Sequence, residues 1–227
     1  MSRFNQFKKS FSEKKKEKEE KKEEEDKVEN TLAFSIFDEF SSSSSMRTVG
    51  LYGDIDEERA AEVIYSMVSL KHSGKKEEEI EGSEEKKVTY EPFDMVISTS
   101  GGIASEMFAI YDVMRLIKQD CDIEVLALGK VMSAGVLVLA AGTKGKRKIG
   151  RNCRVMLHGV KAGQAGYVHE METELAEVKW NQQRYLECLE ECTELTMKQL
   201  KRFVAKKSNV YLTAEEAVQY GIADEIV

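Results

Sequence analysis

Residues Ile123 to Gly142 read IEVLALGKVMSAGVLVLAAG. Ile123 to Leu128 alternates and then fills with apolar side chains, as a half-buried strand does. Val136 to Ala141 offers no polar side to water and reads as a buried helix. Ser133 falls between them, at the first turn of that helix, where unpaired N–H groups and the positive end of the dipole favour an oxyanion. A serine so placed offers acyl chemistry both an attacking hydroxyl and a place for the developing negative charge. The same place also suits a serine that only caps its helix, so its partners decide.

Outward from this stretch, Arg154-Val155-Met156-Leu157 forms a second strand-like run that ends in His158-Gly159. The chain has 3 histidines. His72 stands in a charge-rich stretch and His169 in an amphipathic helix, which leaves His158 where a strand end delivers a base. A histidine there is also compatible with a purely structural role. Upstream, Phe93 to Ser98 reads as a strand, Thr99-Ser100-Gly101-Gly102 as a turn, and Ile103 to Lys118 as a helix. That helix carries Met107, Ile110, Tyr111, Met114 and Ile117 on one face. Paired glycines let a backbone approach a substrate and aim N–H groups at it, although a tight strand-to-helix turn alone also uses them.

Three blocks in this order, STSGGIASEMFAIYDVMRLIK (Ser98 to Lys118), the serine block, and AAGTKGKRKIGRNCRVMLHG (Ala140 to Gly159), resemble the proteolytic subunit of the Clp protease, ClpP. The resemblance runs from about Arg47 to Val227. It implies an α/β ClpP/crotonase-like superhelix of strand-strand-helix units, with a long handle helix that joins two rings. It further implies a serine endopeptidase with Ser133 as nucleophile, His158 as general base, and the N–H groups of Gly102 and Ala134 as oxyanion hole. Such an enzyme works through an acyl-enzyme on unfolded polypeptides inside a homo-oligomeric tetradecamer of stacked rings. It needs no cofactor or metal of its own, and ATP is used only by a partner hexameric unfoldase ATPase.

The chemistry of the residues agrees with those roles. A neutral serine is a weak nucleophile, and an imidazole with an ordinary pKa of about 6.5 can take its proton and return it to the leaving amine. Counting back from Leu212-Thr213-Ala214-Glu215-Glu216-Ala217, the family's triad aspartate position falls on Asn209. Asn can accept a hydrogen bond from the imidazole but carries no charge to stabilise imidazolium. In a site built for Asp that change costs about ten-thousandfold, whereas Cys-His-Asn enzymes use Asn natively. Asn209 therefore leaves open a catalytically weak or silent ring subunit that serves as scaffold. A hydratase or isomerase of the related crotonase fold shares glycine-turn oxyanion holes, but has no need of this Ser/His pair. The segment before Arg47 does not resemble the family's usual axial-loop beginning. That departure, the charged extension and Asn209 suit a divergent member, such as a virus-encoded protease of capsid maturation.

The net charge of −7 gives no broad basic surface for nucleic acid. Cys121, Cys153, Cys188 and Cys192 have no disulfide-framework or zinc-knuckle spacing, which fits a reducing cytoplasm. No stretch approaches the ~20 apolar residues of a membrane span. Residues 1–46 read as a disordered, Lys/Glu-rich extension with a Ser41 to Ser45 joint, and 47–227 as the peptidase domain. Within that domain, 72–91 reads as a charged insertion, its Lys/Glu-rich part around Lys75 to Lys87 as a surface loop with a short hairpin extension as the alternative, and about 163–206 as the handle region. The handle is expected as one long helix from about Tyr167 to Lys206, with Met171, Leu175, Val178, Tyr185, Leu189 and Cys192 in a stripe interrupted by Gln182. Thr213 and Glu216 have capping-box spacing for a last helix that ends at Gly221.

Overall fold

The computed structural model describes residues 46–79, 86–163, 165–205 and 209–227. The expected extension, the Ser-rich joint and the centre of the insertion lie outside them.

Arg47–Val227 form one unit. Its strands are β1 (Thr48–Ile55), β2 (Lys75–Glu79), β3 (Lys86–Tyr90), β4 (Phe93–Gly102), β5 (Ile123–Met132), β6 (Arg147–Ile149), β7 (Arg154–Leu157), β8 (Val210–Leu212) and β9 (Glu225–Ile226). The helices are α1 (Glu57–Ser73), α2 (Ala104–Ile117), α3 (Ala134–Ala140), α4 (Val168–Cys192), α5 (Met197–Val204) and α6 (Ala214–Gln219).

The main sheet runs β1-β4-β5-β6-β9, all parallel, and β7 joins β5 in parallel while β8 closes on β7 antiparallel. Alternation sets its inner face: Phe93, Met95, Ile97 and Thr99 are buried along β4, and Ile123, Val125 and Ala127 along β5. The five apolar positions expected on one face of α2 are its buried residues, and all seven residues of α3 are buried. α1 packs Ala60, Val63 and Met67 inward and begins on Asp56, whose Oδ1 accepts the Arg59 N–H at 2.8 Å.

An irregularity in β5 positions the site. Ile97 faces Ala127, yet Thr99 faces Val131, so β5 carries two extra residues past β4. Gly129, at φ 65°, supplies the conformation that the detour requires. Before it, Val125 to Ala127 pair with β6; after it, Lys130 to Met132 pair with β7. The strand thereby delivers Ser133 beside the end of β7, where His158 follows.

Two expectations need correction. The single long helix is two, because the chain turns extended at Thr193 (φ −125°, ψ −179°) and restarts from Thr196. Thr193 Oγ1 donates to the Leu189 carbonyl at 2.7 Å, and Arg147 Nη1 takes the Cys192 carbonyl at 2.8 Å, so the last-turn acceptors are satisfied without a further turn. Thr196 and Gln199 then form a capping box for α5. His72, expected at the start of the insertion, belongs to the last turn of α1, and the charged hairpin's strands begin at Lys75. Among the described residues, no helix is long and apolar enough to cross a membrane.

Candidate active site

Ser133 is the only non-glycine residue with positive φ among the described residues, at φ 53° and ψ −122°. Such a conformation costs on the order of 1–3 kcal/mol and persists only where neighbours over-determine it. Here they do. The Ser133 N–H donates to the Met156 carbonyl at 2.7 Å, and its carbonyl accepts from Val136 N at 3.0 Å and from the Tyr185 hydroxyl at 3.0 Å. Its own hydroxyl makes no capping hydrogen bond to α3.

Gly101, at φ 92°, lies directly against this turn. A Cβ there would stand 2.7 Å from Ser133 Cβ and 3.0 Å from Ala134 N, so only glycine lets the two segments approach. At Gly102 a Cβ would overlap the Ile55 carbonyl, backbone that cannot swing aside. Thr99 Oγ1 accepts the Gly101 N–H at 3.0 Å and is itself fully buried. The glycine turn, braced internally by this bond, thus packs directly against the serine turn.

Ser133, Ala134, Gly102 and His158 all line one cleft of about 760 Å³. No hydrogen bond among the described residues joins Ser133 Oγ to the His158 ring. Catalytic hydrogen bonds are often loose until substrate binds. The His158 Nδ1 meets the Gly159 carbonyl at 2.5 Å. A carbonyl only accepts, so Nδ1 is the N–H in this contact, and in a neutral ring Nε2 keeps its lone pair.

Asn209 does not line the cleft. It is exposed, and its Nδ2 donates to the Tyr211 hydroxyl at 3.4 Å. The β7–β8 register ends with Leu157 opposite Val210, so His158 and Asn209 are the residues that flank its last pair. No hydrogen bond among the described residues joins their side chains, which engage Gly159 and Tyr211 instead.

Three further contributors come from the central part of α4. Tyr185 and Asn181 line the cleft, and Gln182 Oε1 accepts the Val160 N–H at 3.2 Å, just past His158. Tyr185 reads from sequence as one more apolar position of a helical stripe. The signal was its phenol, since a buried tyrosine hydroxyl usually requires a partner. Burial pushes that phenol well above its ordinary pKa, so it stays protonated and donates. At the rim, Lys130 Nζ donates to Ser100 Oγ at 2.7 Å.

A model of the family described as Clp protease matches residues 31–227. The chain is 32% identical over 133 residues to the "ATP-dependent Clp protease proteolytic subunit 4, chloroplastic" of Arabidopsis thaliana. That alignment covers 59% of this chain and 44% of the relative, so the chain spans less than half of the relative's length. The mostly parallel sheet with its flanking helices is the ClpP/crotonase-like fold, and with the family model matching nearly the whole sequence, this chain belongs to the Clp protease family.

Proposed function

We propose that the chain is a serine endopeptidase and the proteolytic subunit of a self-compartmentalising ring complex. The observation that carries this reading is Ser133: a positive-φ residue with an uncapped hydroxyl, in one cleft with His158 and the glycine turn. Ser133 Oγ attacks the scissile carbonyl while His158 Nε2 takes its proton. The oxyanion is held by the N–H groups of Gly102 and Ala134. The tetrahedral adduct collapses as the imidazolium returns the proton to the leaving amine, and water then releases the acyl group by the same route. Each important oxyanion donor is worth roughly 3–4 kcal/mol of barrier. The acyl transfer needs neither metal nor organic cofactor.

Asn209 is the third member in this reading. A turn of its side chain away from Tyr211 brings its amide oxygen toward Nδ1, which the Gly159 carbonyl otherwise holds. Residues 47–227 are the peptidase domain and 1–46 a charged extension whose last part, from residue 31, falls within the family match. Exposed Val168, Met171 and Leu175 on α4 support a homo-oligomer of stacked rings, because an unpaired apolar stripe favours association. Unfolded polypeptides are the substrates, delivered by an ATP-using unfoldase. Four free cysteines support a reducing compartment such as the cytoplasm.

A second reading has a specific observation behind it: Asn209 makes no bond to His158, which suits a silent scaffold subunit. A fluorophosphonate probe distinguishes them. The peptidase labels at Ser133, and Ser133→Ala and His158→Ala both abolish labelling. An assembled protein, sized by native mass spectrometry, that takes no label is the scaffold.

A further inference from the structure

We infer that Tyr185 is a positioning residue for the oxyanion hole, acting from α4 through the peptide plane between Ser133 and Ala134. The inference rests on the reading of Ser133 as nucleophile and extends it to a residue outside the triad.

A trans peptide unit is planar, so its C=O and N–H point in opposite directions along one plane. The Ser133 carbonyl and the Ala134 N–H belong to the same unit. Whatever aims the carbonyl therefore aims the N–H. The carbonyl has two acceptor positions and both are used, by Val136 N at 3.0 Å and by the Tyr185 hydroxyl at 3.0 Å. Val136 is only three residues on, within the same short helix, and moves with the turn it braces. Tyr185 is 52 positions away on a different element, so its bond ties the plane to an external frame. No backbone acceptor among the described residues takes the Ala134 N–H, which is the state required of an oxyanion donor.

The phenol is well placed to hold this geometry. Tyr185 is 5% exposed, its flanking residue Leu186 and the next-turn residue Leu189 lie in the core, and α4 packs on α3. One turn of the helix serves both halves of the site, because Gln182 accepts the Val160 N–H beside the histidine while Tyr185 holds the serine. Gln182, the polar residue that interrupts the apolar stripe, thereby has its explanation. Deleting the Tyr185 hydroxyl leaves the ring and its packing in place but frees the peptide plane to tilt. Ground-state binding is untouched and the transition state loses a pre-aimed donor.

The test uses the full chain and a fluorophosphonate, whose attack by Ser133 also develops negative charge on oxygen. Saturation kinetics separate the limiting labelling rate from the probe concentration at half-saturation. For Tyr185→Phe the limiting rate is expected to fall about tenfold, a little above the effect of losing one ordinary hydrogen bond, with half-saturation and melting temperature nearly unchanged. Tyr185→Leu, which also lacks the hydroxyl, shows at least the same drop. A Phe variant that labels at the unmodified rate overturns the inference, as does a loss of rate matched by an equal loss of folded protein. If the unmodified chain itself takes no label, the reading of Ser133 fails and the role of Tyr185 fails with it, an outcome visible before any variant is compared.

Discussion

Ser133 differs from a capping serine by one backbone conformation. Its context, a strand followed by an apolar helix, fits either role, and only the φ of 53° with an unengaged hydroxyl separates them. The neighbours pay for that conformation locally: two backbone bonds and one phenol hold it. Asn209 poses the opposite case, since its position along the chain is informative and its side-chain contacts are not. Because Gly159 already occupies His158 Nδ1, Asn209→Ala is expected to slow Ser133 labelling by about tenfold or less. That contrasts with the about ten-thousandfold penalty of losing the charge in a site built around Asp. Labelling rates of the two proteins, compared at equal folded concentration, check this. A collapse to background would make Asn209 indispensable and Gly159 incidental.

At the scale of elements, the amphipathic faces were legible because burial follows the period of the helix or strand. The inward face of α2 and the capping box of α6 needed nothing beyond spacing. In α6, Thr213 Oγ1 accepts the Glu216 N–H at 3.2 Å and Glu216 Oε2 accepts the Thr213 N–H at 2.9 Å. Thr213→Ala is therefore expected to cost about 1 kcal/mol, read as a fall in melting temperature of roughly 2–4 °C. The break between α4 and α5 was not legible from the stripe. Apolar steps continue across it, and the competing Thr196–Gln199 capping signal prevails only because Arg147 and Thr193 satisfy the carbonyls at the end of α4.

Across the whole molecule, Arg147 fastens the ends of several elements to one another. Its side chain is 1% exposed and pairs with Asp224 at 2.6 Å, while Nη1 reaches the carbonyls of Ala140 and Cys192. Burial alone would raise the Asp224 carboxyl, but hydrogen bonds from Arg147, its charge and the Gly145 N–H together hold it below the usual carboxylate value. A carboxyl depressed in the fold adds stability above its unfolded pKa of about 3.9, and that stability is lost as pH falls through the lower folded value. Asp224→Asn leaves Arg147 buried without its counter-charge and is expected to cost about 3 kcal/mol near neutrality. Urea unfolding at a series of pH values checks it: the gap to the unmodified protein should shrink in acid. A gap independent of pH would mean that shape rather than charge is responsible.

By itself, the sequence determined which residues face inward, where the glycine turn and the serine turn fall, and which histidine could join them. These depend on local periodicity and on residue types whose conformational range is narrow. Only the tertiary structure decided that the Ser133 hydroxyl does not cap its helix, that Tyr185 and Gln182 bond to the Ser133 carbonyl and the Val160 N–H from one helix, and that Gly159 rather than Asn209 meets the imidazole. Each of those is a hydrogen-bond choice between several acceptors within reach. Such choices are settled by how distant segments pack, which no local pattern records.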